Sequence, residues 1–101
     1  MNLKNISYAL AQDFCLLGLK SRRKYFANLA LKYVIEAEEI INLVGEEKRK
    51  LSVFEESIIK SNYNLAEKCL GSAEKFLEKN LLTKINYECR LEQIAQFLKD
   101  N

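Results

Sequence analysis

Proline, tryptophan and histidine are absent from this chain, and glycine occurs only three times. Sandwiches, barrels and loop-rich scaffolds turn on glycine and proline, so these absences tell against them. Without histidine the chain has no general base poised near neutrality, and lacks the commonest metal ligand. The three cysteines, Cys15, Cys69 and Cys89, are widely spaced and form no C-x-x-C pair, so a zinc or redox motif is not expected. Each sits among apolar neighbours and reads as a small buried hydrophobe. No glycine-rich phosphate loop or nucleophile–base arrangement is present. The chain therefore reads as non-enzymatic, with no cofactor, no metal and no small-molecule substrate.

What remains is a sequence rich in Leu, Ile, Lys and Glu, with 49% apolar and 30% charged residues. That is the composition of a folded domain and not of a disordered tail. At 101 residues it supports one core, so residues 1–101 are read as a single all-α domain. The start of the chain lacks the charged region and apolar run of a signal peptide, and no stretch reaches ~18 consecutive apolar residues. No membrane association is expected, and the expected compartment is the cytoplasm.

Apolar periodicity divides the chain into about five antiparallel helices with short connections. Leu3, Ile6, Leu10, Phe14 and Leu17 mark the first, with a turn expected from Gly18 through the polar stretch Lys20–Lys24. Phe26, Ala30, Val34, Ala37, Ile41 and Val44 mark the second, which Gly45 is placed to end in the left-handed conformation. Ser52-Val-Phe-Glu55 matches a capping box for a third helix, although Leu51, Phe54 and Ile58 also fit a helix starting nearer Glu46. Asn62 and Asn64 suggest the next turn. Tyr63, Ala66, Leu70, Ala73 and Leu77 line a fourth helix closed by Asn80. Thr83 is placed to cap a fifth, with Tyr87, Leu91, Ile94 and Leu98 inward.

Shifting the chain by 36 residues aligns Leu29-Ala30 with Leu65-Ala66, Lys32 with Lys68, and Ala37-Glu38 with Ala73-Glu74. Alanine on a buried face permits close helix approach, and the large residue between fills the groove. Two unrelated amphipathic helices of similar composition would also give such a match. Phe14, Leu17 and Gly18, followed by Ala30, Val34 and Ala37, resemble one tetratricopeptide repeat. The likeness runs from about Gln12 to Leu43 and returns more weakly over Lys48–Lys79. Ser21 replaces the expected tyrosine, Asn42 the closing proline, and Phe54 a small glycine. The resemblance implies TPR-like hairpins and protein binding without catalysis. Asn62-Tyr63-Asn-Leu-Ala66 with Ala73-Glu74-Lys75-Phe-Leu77-Glu-Lys79 is similar to HEPN-type helical bundles. The nucleolytic members use a histidine that this chain does not have, so that resemblance implies a silent binding subunit.

The net charge of +2 hides an asymmetry. Residues 1–35 carry +5, residues 36–60 carry −3, and the remainder is neutral. Lys20, Arg22, Arg23 and Lys24, followed by Tyr25 and Phe26, form the one compact basic-aromatic cluster. Such a cluster suits nucleic-acid phosphates with a base on Tyr25, an acidic protein surface, or plain solvation of an interhelical turn. Glu36, Glu38, Glu39, Glu46 and Glu47 are the acidic counterpart, and Glu46–Lys50 has the favourable four-residue spacing. Large apolar residues also surround more than one face of the first two helices. Leu16, Leu19, Leu31 and Tyr33 are the expected patch for a protein partner or a second copy, with the basic cluster as a charged rim. A nucleic-acid module using Lys20–Lys24 is the alternative.

Overall fold

The computed structural model describes residues 19–101, with side chains described from residue 22. The helix expected over Leu3–Leu17 lies outside them. The described residues are all helical apart from short connections. They form α1 (Leu19–Glu46), α2 (Val53–Ser72), a short α3 (Glu74–Glu78) and α4 (Leu81–Asp100).

Helix α1 has 28 residues, about 42 Å at 1.5 Å per residue. The described residues span 45 × 29 × 18 Å, so this one helix sets their long dimension. One row of its buried residues is Ala27, Ala30, Val34, Ala37 and Val44, spaced alternately by three and four with half-buried Ile41 completing it, and Leu29 and Tyr33 are buried beside it. Helix α2 answers with Ile59, Asn62, Ala66 and Cys69 at the same alternation. Alternating three and four keeps one face of a helix against its neighbour over several turns. Ala30, Ala37, Ala66 and Ala73 are all fully buried, so both alanine pairs of the 36-residue match face the interior.

The end of α1 differs from the expectation for Gly45, which is helical with negative φ. The left-handed residue is Lys48, at φ 51°. Lys48 N–H donates to the Gly45 carbonyl at 3.2 Å and Arg49 N–H to that of Val44 at 3.3 Å. These are the two bonds of a Schellman ending. Because the helix stops at Glu46, Lys50 is no longer one helical turn away, and the expected Glu46–Lys50 pair is not formed. Ser52 caps α2 in a full capping box. Glu55 N–H donates to its hydroxyl at 3.1 Å, and the Glu55 carboxylate accepts from Ser52 N–H at 3.1 Å.

No turn forms at Asn62–Asn64, since both lie within α2. The chain bends instead at Ala73 (φ −97°, ψ 8°), just after Gly71-Ser72. A Gly/Ser pair is a recurrent cause of helix kinks. The bend keeps α3 nearly continuous with α2, and Asn80 then separates α3 from α4. Asn80 closes α3 by donating its side-chain amide to the Phe76 carbonyl at 2.8 Å. Helix α4 starts at Leu81, ahead of the expected Thr83 cap, and buries Tyr87, Leu91 and Ile94 as the periodicity required.

The connections and cross-contacts give an up-down-up arrangement. Glu38 pairs with Arg90, and Ile41 and Asn42 lie near Gln93 and Ile94, so α1 and α4 run the same way. Leu70 and Tyr63 line one concavity with Glu88 and Glu92, in the sense of α2 running against α4. The main core joins α1, α2 and α4 around Tyr33, Val34, Ile59 and Ile94. A smaller cluster of Ala27, Ala73, Leu77 and Tyr87 lies beneath α3.

Candidate functional site

The basic cluster is not an interhelical turn. Lys20, Arg22, Arg23 and Lys24 all lie in the first turns of α1. Arg22 and Lys24 are exposed, Arg23 and Tyr25 half-buried, and the Lys20 side chain is outside the described set. Tyr25 is half-buried against the main core.

Folding brings a second basic pair to the same place. A concavity of about 460 Å³ is lined by Arg23 and Lys24 from α1 and by Lys75, Phe76, Glu78, Lys79 and Asn80 from α3 and its end. Among the described residues, four cations against one carboxylate give the groove a charge of +3. Lys75 lies on α3 and Lys79, its C-cap, keeps right-handed helical backbone four residues on, so the two face the same side. The kink at Ala73 and the closure at Asn80 aim that face at the start of α1. Phe76 is half-buried and anchors α3 on the smaller core cluster. Sequence inspection could not find this pair as part of the site, because more than fifty residues separate it from Arg23.

The expected apolar patch divides. Leu16 lies outside the described residues, and Leu19 opens α1 with its side chain undescribed. Tyr33 is 1% exposed in the main core, and Leu31 is half-buried against the smaller cluster. Neither is a surface anchor. Helix α1 touches α2, α3 and α4, so most of its apolar residues serve packing, while Ile35 and Leu43 remain exposed. Exposed apolar side chains occur instead at the start of α4, where Leu81 (59%), Leu82 (86%) and Ile85 (55%) form a shelf beside the basic groove. Val53 and Phe54 are exposed at the far end, at the start of α2.

Two other concavities are charged. One between α2 and α4 is lined by Tyr63, Glu67, Glu88 and Glu92 with Leu70 and Leu91. The Tyr63 hydroxyl is held above its ordinary pKa by its hydrogen bond with Glu67 and by burial. The other surrounds the Glu38–Arg90 pair, in which Arg90 Nε donates to Glu38 Oε2 at 2.9 Å and its terminal nitrogen to Oε1. That bidentate fork raises the Arg90 pKa and ties α1 to α4. At the α1–α2 connection Arg49 bridges Glu47 and Glu55, and its hydrogen bonds raise its own pKa further. Among the described residues no group of carboxylates and thiols has metal-binding geometry. Cys69 is buried as expected, whereas Cys89 is exposed. No described helix is long and apolar enough to cross a membrane.

No family model, curated protein or solved structure matches this chain. The surfaces above are therefore read from their own chemistry.

Proposed function

We propose that this chain is a non-enzymatic helical interaction module, an accessory or adaptor domain that binds another protein or its own copy through an apolar helix face. The observation that carries this reading is the shelf of Leu81, Leu82 and Ile85 at the start of α4. Three large aliphatic side chains within two helical turns, each more than half exposed, lose stabilisation in water that a covering surface restores. The tetratricopeptide and HEPN resemblances support the same reading, because both imply binding without chemistry in a chain that has no histidine.

Leu82→Glu tests it. The variant is expected to keep the circular-dichroism spectrum and melting temperature of the wild type. The wild type is expected to self-associate in sedimentation velocity or to retain a partner in affinity purification from the source cell, and the variant to lose that association. A variant that unfolds would place Leu82 under the chain's own residues, and equal association by both proteins would remove the shelf from the interface.

A further inference from the structure

The groove beside the shelf has a chemistry of its own, and we propose that it binds single-stranded nucleic acid. Arg23, Lys24, Lys75 and Lys79 take phosphates, and a base lies against Phe76. The first argument is the assembly of charge. Two basic pairs from distant parts of the sequence line one concavity, and among the described residues only Glu78 offsets them. Like charges held together repel unless an anion joins them. Arg23 offers a planar fork suited to phosphate oxygens, and the three lysines supply point charges around it.

The second argument is the aromatic ring among the cations. Among the described residues Phe76 is the only aromatic one lining this groove. A base presents its flat face only when it is unpaired, so a ring at this position favours a single strand over a duplex. The carboxylates of an acidic peptide gain nothing comparable from the ring. Glu78 disfavours any anion at its own position, but a carboxylate there can accept from the exocyclic amine of a base.

The third argument concerns length. A volume of about 460 Å³ is in the range that holds a small ligand. Charge nevertheless continues beyond it. Lys24, Asn28 and Lys32 are exposed at four-residue spacing along α1, so a polar, cationic track leaves the groove along one helix face. A strand uses that track, whereas a free nucleotide does not reach it.

The test is fluorescence anisotropy with labelled oligouridylate and oligothymidylate of about 15 nucleotides. Titrations at about 50 and 200 mM salt give the slope of affinity against salt. The wild type is expected to bind with a clear negative slope. Lys75→Gln/Lys79→Gln should weaken binding about tenfold and reduce the slope by about 1.4, at ~0.7 per phosphate contact. Phe76→Leu keeps an apolar anchor but removes the ring, and should cost about fivefold or more. Lys50→Gln/Lys99→Gln, remote from the groove, should bind as the wild type does, and circular dichroism verifies the fold of each variant. Absence of wild-type binding, or an unchanged slope in the Lys75/Lys79 variant, overturns the proposal. So does displacement of the strand by polyglutamate or uridine monophosphate as effectively as by unlabelled strand. The first competitor would mark an acidic-protein site and the second a free-nucleotide site.

Discussion

Asn62 is 1% exposed, and neither its amide nitrogen nor its carbonyl oxygen has a hydrogen-bond partner among the described residues. It occupies the α2 stripe between Ile59 and Ala66, where an aliphatic side chain of similar volume fits the pattern. A buried polar group left unpaired costs about 1–3 kcal/mol. Asn62→Leu is accordingly expected to stabilise the fold by about 1–2 kcal/mol, raising the melting temperature by roughly 4–8 °C for each kcal/mol. Thermal denaturation of both proteins decides it, and a lower melting temperature in the variant would show that the amide is satisfied after all. This residue also shows how a sequence misleads. Asparagine is a turn former, and Asn62 with Asn64 suggested a chain reversal. The three-four spacing of 59, 62, 66 and 69 carried the opposite message, and tertiary burial of that stripe outweighed the local preference.

At the scale of the element, ends made by side chains were more legible than ends made by the backbone. The capping box of α2 was readable because both partners are side chains three residues apart. The end of α1 was not, because a Schellman ending is made by backbone groups and here places lysine at a left-handed position usually held by glycine. The start of α2 also has a measurable electrostatic signature. The Arg49 guanidinium, helped by the Ser52 backbone N–H, holds the Glu55 carboxyl down to about 2, from an ordinary value of 4.5. A carboxyl depressed on folding contributes stability that is present above its unfolded pKa and lost as pH falls through the folded one. This contribution is thus complete above about pH 4.5 and disappears between there and about pH 2. Arg49→Gln is expected to move the Glu55 midpoint upward toward the ordinary range, followed by NMR titration of its side-chain carboxyl. An unchanged midpoint would assign the depression to the capping bond alone.

Over the whole molecule, the all-helical class was evident from the absence of proline and the scarcity of glycine. The core faces of α1 and α4 were evident from periodicity. Which apolar residues remain outside was not, because that depends on how many neighbours a helix has. Leu31 and Tyr33 sit on opposite-facing parts of a helix that is covered from two directions, and no local pattern distinguishes this from an exposed patch. Leu31→Glu, which an exposed Leu31 would tolerate, is therefore expected to lower stability by about 2–4 kcal/mol through a charge set against Leu77 and Tyr87. Urea denaturation measures it, and an unaltered midpoint would return Leu31 to the surface. The groove followed the same logic. Half of it was legible as a basic run, and the other half came from α3, a five-residue helix whose direction is set by a kink.

The two described thiols differ in a way that outlasts any functional assignment. Cys89 faces solvent from α4, while Cys69 lies in the seam of α1 with α2, its thiol pushed up to about 11 by burial. Thiolate is the reactive form, so Cys69 stays silent toward alkylating reagents until the seam parts. Its labelling rate, referred to that of Cys89 in the same molecule, is thus an internal clock for how often the two longest-paired helices separate. The separation is timed without adding any probe to the protein.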